Sequence, residues 1–421
     1  MIDSHRRRLS IDAIAATVVA SVPASPAVDR AVAECLGCVL ADPAVAPANL
    51  PPWPVATRDG YAVRAVDTIR AHPARTARLL VSREGAAGKP AQALSAGSAL
   101  PIMTGAPVPA GADAVVPGES CGSPRESAGG FRDWVDVVSE VDPGQFVAWT
   151  GSEFRAGSLA LAPGTVLGPP ELAVLVALGY VQARVVPRPR VALVATGTEL
   201  SGQAGVARAG QLYASNLALM QGMVVGCGAG VASVRVAVDE PSELAEAFQD
   251  ALGADLILTT GGTGRSCRDI IGKILVDQEA GSLWNARVQG SKPAAFRLLR
   301  EASTGRLVAH LALPGRPIAA MVGFILFAYP LLRRLAGLPP EAVRYRWARL
   351  AAGIGGSAGH HRYVPVRLER CSKGWEALPG GESSLYGLAA TAGSDGFAVV
   401  GRRTGGLAKG HRVRVILPPW R

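Results

Sequence analysis

The sequence predicts a multidomain α/β protein with a doubly wound α/β domain near its centre. Three textures along the 421 residues carry that reading. From Arg188 onward strands and helices alternate, which requires a parallel sheet covered by helices on both faces. From Ala46 the chain holds Pro-rich segments with short strands, and after Gly337-Leu338-Pro339-Pro340 short strands return between Gly-rich turns. The expected division is a segmented helical domain (1–45 with 149–187), a β-rich domain (46–148), the α/β domain (188–338) and a C-terminal β-barrel-like domain (339–421).

Residues 1–45 read as helical. Ile11, Ile14, Ala15, Val18, Val19 and Val22 follow the i, i+3, i+4 spacing of a helix with one buried face, and Ser10 stands where its N-cap belongs. Arg6-Arg7-Arg8 ahead of this stretch imitates a signal peptide. Asp12 interrupts the apolar run, and the helical face argues for a first helix of the folded domain. The apolar Ala31–Leu40 also reads as helix. It contains Cys35 and Cys38, the only C-x-x-C among six cysteines. A structural zinc site needs about four ligands, and no second pair follows. Buried core thiols in a reducing, cytoplasmic compartment are expected instead.

In the β-rich part, strands are expected at Tyr61–Val63, Leu79–Ser82, Ala114–Val116 and Trp134–Val138. Gly151–Pro170 looks like turns, and Glu171–Leu178 like a helix with Gly179 as its C-cap. The alternating region then gives a strand at Val191–Thr196 and a helix at Asn216–Met223, capped by Ser215 or Asn216. It continues with a strand at Val231–Val238, a helix at Glu243–Leu252 and a strand at Leu256–Thr260. A helix at Arg268–Leu275, a strand at Leu307–Leu313 and a long helix at Pro317–Leu335 complete it. Ligands of such a sheet bind beyond the carboxyl ends of its strands.

The net charge of +10 comes from scattered arginines in a chain with 5% aromatic residues. A nucleic-acid binder concentrates charge on a face and interleaves it with aromatics, so no nucleic-acid partner is expected, and the charge reads as a preference for anionic ligands. The longest apolar run, Ile318–Leu332, contains Pro330 and falls short of the ~18–20 residues of a membrane span. No Ser-His-Asp pattern stands out, and six histidines make a histidine-based metal site an unlikely design.

Three turns at expected strand ends suit chemistry. Thr260-Gly261-Gly262-Thr263-Gly264 takes a strand through glycines toward a helix, and free N–H groups there attract an oxyanion. In Leu313-Pro314-Gly315-Arg316-Pro317, Pro317 suits the first turn of the next helix and Arg316 adds charge. Glu199, in Thr196-Gly197-Thr198-Glu199-Leu200, and Asp269, at the start of the helix after the glycine loop, are two carboxylates able to share a divalent cation. For Asp269, helix-dipole stabilisation alone is an equally good explanation. Arg58-Asp59-Gly60-Tyr61-Ala62-Val63 and the turn-rich Pro101–Val116 read, from spacing alone, as structural loops.

Taken together and in order, these strings resemble the molybdopterin molybdenumtransferases, a family that includes the gephyrin E-domain. Leu50-Pro51-Pro52-Trp53 with Asp59–Arg64 is similar to its "LPPF…MDGYAVR", and Ile102–Val116 to its "IMTGAPVPxGADAVV", the most specific match. Thr196–Leu200 resembles "TGDEL", Gly210–Asn216 "GQIxxSN", Ser291-Lys292-Pro293 "GKP" and Leu313–Pro317 "LPGNP". The resemblance implies that the α/β domain binds molybdopterin. It also implies an elongated homodimer whose site faces the α/β domain of one subunit toward the β-rich domain of the other. The implied reaction converts adenylyl-molybdopterin and molybdate into molybdenum cofactor and AMP with Mg²⁺. Carried over residue by residue, it makes Asp59, Thr104, Glu199, Asp269 and Lys292 the catalytic candidates, with Asp59, Glu199 and Asp269 on the metal. Gly261, Gly262, Thr263, Ser291, Pro314, Gly315, Arg316 and Pro317 become the pterin-binding candidates.

The sequence departs from the family pattern in four ligand loops. Pro54–Asp59 replaces "DNSAMD", Gly261–Ser266 replaces "GGVSVG", Gln289–Pro293 replaces "KPGKP", and Arg316 and Ala319 stand in "LPGNPVS". Arg does not reproduce Lys geometry at an oxyanion site. A paralogue that binds molybdopterin without inserting metal is therefore the alternative reading. A nucleotide pyrophosphatase of the competence/damage-inducible type shares the α/β module, but Ile102–Val116 and the C-terminal domain argue against it.

Overall fold

The computed structural model describes residues 11–82, 93–122, 134–201, 209–238, 240–261, 284–286, 294–301, 304–339, 341, 343–356, 361–372, 374–380, 387–401 and 404–420. The chain forms two compact units, one of Met1–Asp29, Gly37–Ala41 and Arg184–Arg421, the other of Arg30–Leu36 and Asp42–Ala183.

The first helix, α1 (Ile11–Ser21), buries Ile14, Val18 and Val19, with Val22 just past its end, as the spacing requires. The proposed cap Ser10 lies outside the described residues. Among the described residues, Val22 to Val45 form no α-helix, contrary to the sequence reading. Val28–Ala31 is a strand, Val32–Glu34 a single 3₁₀ turn, and Val39–Leu40 and Ala44–Val45 are short strands. The cause is local: Gly37 has φ +76, which an α-helix cannot hold, and Pro43 follows. Cys35 and Cys38 are nevertheless buried, and the Cys35 thiol donates to the Ala31 carbonyl at 3.2 Å.

The smaller unit is built on a five-stranded sheet of β1 (Gly60–Val63), β2 (Ala77–Val81), β3 (Ser98–Ile102), β4 (Ala114–Pro117) and β5 (Trp134–Val137), in the order β4-β1-β3-β2-β5. Alternate residues feed two cores, which is why these strands read as continuous apolar runs. Val63, Ala99, Ala114 and Val116 join one, and Ala62, Leu100, Ile102 and Val115 the other. Helix α2 (Pro169–Ala177) starts on two prolines, and the Glu171 carboxylate accepts from the Gly168 N–H at 2.9 Å. It ends in a Schellman turn at Gly179, φ +83, whose N–H donates to Val176 while Tyr180 N–H donates to Leu175.

The larger unit holds β6 (Arg190–Thr196), α3 (Ser215–Gly226), β7 (Gly230–Ala237), α4 (Pro241–Ala251), β8 (Leu256–Gly261), β9 (Ala294–Arg300) and β10 (Leu307–Leu313). The sheet order is β7-β6-β8-β10-β9, with Trp284–Ala286 beyond β9. The four strands read from the sequence are parallel, whereas β9, which it left unassigned, is antiparallel to β10. Such an antiparallel edge is common on a parallel sheet. The chain crosses from β7 past β6 to β8, so the strand order switches between β6 and β8. Helices α3 and α4 cover opposite faces: Leu217, Met220 and Val224 join one core, Phe248 and Ala251 another.

Helical structure runs from Pro317 to Leu335 as α5, but Phe324–Ala328 is wound as a π-turn between two α segments. Pro330 explains the widening, since it has no N–H for the carbonyl four residues back and its ring crowds that carbonyl. This stretch is long and apolar enough to cross a membrane (mean hydropathy 1.6), but 78% of it is buried in this fold, so its apolarity builds the core of the unit. The chain ends in a closed barrel of β11 (Tyr345–Leu350), β12 (Arg362–Cys371), β13 (Gly374–Pro379), β14 (Gly396–Val400) and β15 (Arg412–Ile416), in the order β11-β13-β12-β14-β15.

Candidate functional site

In the larger unit, the candidates that lie among the described residues, Glu199, Gly261 and Pro314–Pro317, stand at strand ends beside the switch in strand order. β6 ends at Thr196, β8 at Gly261, and β10 runs into Pro314-Gly315-Arg316-Pro317. Gly261 has φ +85, and a Cβ there would stand 2.3 Å from the Thr196 carbonyl oxygen, so only glycine fits. A Cβ on Gly315 would meet the Gly261 Cα at 3.5 Å, which places the two turns in van der Waals range. Pro314 is buried, Gly315 and Arg316 are exposed, and Pro317 occupies the first turn of α5 as expected. The Glu199 carboxylate is exposed beyond the end of β6 and folds back over Gly197.

One residue here carries more than the sequence reading gave it. Asn216 is not the cap of α3; the N-cap is Ala214, and no side chain caps that end. The Asn216 Nδ2 instead donates to Thr260 Oγ1 at 2.9 Å and to the Gly315 carbonyl at 2.7 Å. Thr260, 1% exposed, also reaches the Pro314 carbonyl at 3.4 Å. A single amide therefore ties α3 to the ends of β8 and β10. Two buried polar atoms at this edge, Thr196 Oγ1 and Asn216 Oδ1, have no hydrogen-bond partner among the described residues. Buried polar atoms without partners cost free energy, and a ligand with polar groups in the crevice offsets that cost. The signal for Asn216 was present in the Ala214-Ser215-Asn216 string, where capping preference concealed it.

The β-rich unit brings together Asp59 and Thr104. Asp59 sits immediately before β1 and Thr104 two residues past the end of β3, and these strands pair with Gly60 opposite Ile102. The Asp59 Oδ1 accepts from the Thr104 N–H at 2.6 Å and from its hydroxyl at 2.8 Å. The backbone bond, then the hydroxyl bond, lowers the Asp59 pKa from its ordinary value. A charged acceptor is the form those donors favour. A Cβ on Gly60 would fall 2.0 Å from the Val116 carbonyl oxygen, so glycine at 60 lets β4 close against this turn. Both Asp59 and Thr104 are exposed.

Gly262, Thr263, Asp269, Ser291 and Lys292 lie outside the described residues, as do Arg265, Gln289 and the helix expected at Arg268–Leu275. Among the described residues, no three His, Cys, Asp or Glu side chains come together as a metal cluster.

Comparison with known proteins covers nearly the whole chain. Residues 9–179 match the MoeA N-terminal region (domain I and II), 192–334 a probable molybdopterin binding domain, and 347–417 the MoeA C-terminal region (domain IV). Molybdopterin molybdenumtransferase 2 of Mycobacterium tuberculosis is 32% identical over 339 residues, which is 79% of this chain and 81% of the relative. A Staphylococcus aureus molybdopterin molybdenumtransferase is 25% identical over 99% of this chain and 97% of its own. The crystal structure of the molybdopterin biosynthesis moea protein from Pyrococcus horikosii superposes with a TM-score of 0.70 at 26% identity, covering 98% of this chain and 99% of that one.

Proposed function

We infer, from the fact that this chain belongs to the molybdopterin molybdenumtransferase family, that it inserts molybdate into adenylyl-molybdopterin, yielding the molybdenum cofactor and AMP. The observation that carries the reading is the order of matched regions, with the probable molybdopterin binding domain flanked by the MoeA N-terminal and C-terminal regions, together with 32% identity to a named molybdopterin molybdenumtransferase. No observation favours a non-inserting paralogue.

In this reading Gly261, Gly262, Thr263, Ser291, Pro314, Gly315, Arg316 and Pro317 hold the pterin substrate. The close approach of Gly261 to Gly315 supports it, because it exposes backbone rather than side chain at the crevice. So do the unpartnered Thr196 and Asn216 oxygens. Asp59, Thr104, Glu199, Asp269 and Lys292 act at the reacting end. Thr104 holds one Asp59 oxygen with two donors, which keeps the carboxylate ionised and aims its second oxygen away from them. Asp59, Glu199 and Asp269 are the residues that would hold Mg²⁺, and their all-carboxylate oxygen set suits that ion. Bound Mg²⁺ supplies positive charge against phosphate and molybdate oxygens. The site is composite, formed across a homodimer in which the α/β domain (188–338) of one subunit meets the β-rich domain (46–148) of the other. The reaction is cytoplasmic, in keeping with the absence of a disulfide among the described cysteines.

The test is complementation of a strain lacking its own molybdenumtransferase. Restored nitrate reductase activity supports insertion; no restoration by a protein that accumulates and binds molybdopterin identifies the non-inserting paralogue.

A further inference from the structure

Where strands β11 and β13 of the C-terminal barrel part lies a group of arginines and aromatics that the insertion reading does not use. β11 and β13 are parallel but paired only through Arg349–Leu350 and Glu376–Ala377. Ahead of that pairing the two strands part and leave a notch of about 280 Å³, lined by Trp347, Ala348, Arg349, Gly374, Trp375 and Arg412. Trp347 is 53% exposed. The Arg412 guanidinium lies over the Trp347 ring at 5.1 Å, Arg346 over Trp375 at 4.3 Å, and Arg414 over Tyr345 at 4.8 Å.

Stacking uses the faces of these guanidinium groups, while their N–H edges are the part that binds oxyanions. Arg349 gives one N–H to the Gly410 carbonyl at 3.3 Å. Arg346, Arg412 and Arg414 make no ion pair among the described residues, and neither does Glu376, the carboxylate on the paired stretch. Glu376, the register partner of Arg349, sets one carboxylate beside four guanidinium groups, so the cluster keeps a positive excess that an anion seated at Arg349 and Arg412 offsets. The indoles add flat apolar faces, on which a ring stacks with any sequence of substituents. The volume lies at the lower edge of small-ligand pockets, roughly 300–1,000 Å³, which fits one substituted ring rather than a peptide chain.

The geometry points to a second binding site in this notch, for a planar heterocycle bearing a phosphate, of the nucleoside monophosphate class. The ring lies against Trp347 where the notch opens between the strands, and the phosphate takes the N–H edges of Arg349 and Arg412. The assignment rests on the barrel surface alone and does not depend on the insertion reading.

The experiment is photolabelling of the full-length protein with an azido-substituted AMP, followed by peptide mapping. The expected label falls on Tyr345–Leu350 or Gly374–Pro379, and unlabelled AMP suppresses it where equal adenosine or inorganic phosphate does not. Trp347→Leu and Arg412→Gln, both at exposed positions, each lower that label about ten-fold while AMP release in the insertion reaction stays within two-fold of wild type. Absence of label from both strands overturns the proposal. So does labelling unchanged in both variants. Suppression by inorganic phosphate as effective as by AMP also overturns it, since it shows a bare oxyanion site.

Discussion

Replacing Asn216 by Ala should loosen the strand-end crevice more than its place in the first turn of a helix suggests. The wild-type amide makes two hydrogen bonds, to Thr260 Oγ1 and to the Gly315 carbonyl. At about 1 kcal/mol net for each bond, the loss is ~2 kcal/mol. Thr260 retains its longer contact to Pro314, whereas this bond to the Gly315 carbonyl is lost outright. A change of that size lowers the melting temperature by about 4–8 °C if the unit behaves as a domain of 150–250 residues. Substrate affinity should fall about ten-fold, because Gly315 is no longer held against Gly261. Asn216→Asp is the sharper variant: it puts carboxylate oxygen against the Gly315 carbonyl and should cost more than Asn216→Ala. Calorimetric melting and substrate titration read both effects. An Asn216→Ala protein with wild-type melting and wild-type affinity would refute the bridging role.

Three further outcomes follow from the same packing. Thr104→Val removes the hydroxyl donor but keeps the N–H, so an NMR titration should show the Asp59 pKa rising toward its ordinary value without reaching it; no movement would show that the hydroxyl is not coupled to Asp59. His310, 1% exposed, faces Phe248 at 5.0 Å and Thr259 Oγ1 at 3.1 Å, and sits opposite Arg297 on β9. Burial first, then the charge of Arg297, holds its pKa well below the ordinary value. The unfolded chain then binds a proton that the native state refuses. Stability is therefore full above about pH 6.5 and falls by up to ~1.4 kcal/mol per pH unit below it; denaturant melts of wild type and His310→Asn should show a shallower acid limb in the variant, and identical limbs would sink the assignment. Gly261→Ala forces a Cβ to 2.3 Å from the Thr196 carbonyl at φ +85 and should destabilise by more than ~2 kcal/mol, which a wild-type denaturation midpoint would contradict.

Much of the fold was legible because its elements bury one clear face. The helix around Ile14 and Val18, the strands β6, β8 and β10, and the C-cap at Gly179 follow from periodicity and from glycine conformation. The segment Ala31–Leu40 misled because apolar content was read as helix although Gly37 forbids it. β9 escaped because Arg297 breaks its apolar pattern, while the pairing with β10 that buries it is invisible locally. The candidate site was legible mainly through ordered strings such as Ile102–Val116, since the Asp59–Thr104 contact joins residues flanking different strands and no local spacing reports it. Asn216 was seen but given the wrong partner, because a helix start and a bridge between strands call for the same polar residue.

The most direct test of the account is AMP release from adenylyl-molybdopterin in the presence of molybdate, comparing wild type with Glu199→Gln and Asp269→Asn. Each substitution keeps size and hydrogen-bonding capacity but removes the charge that an Mg²⁺ site requires. The account predicts molybdate-dependent release by the wild type and at least ten-fold slower release by both variants, with pterin binding little changed. Wild-type release with both variants equally active, or tight pterin binding by the wild type without any release, would contradict it.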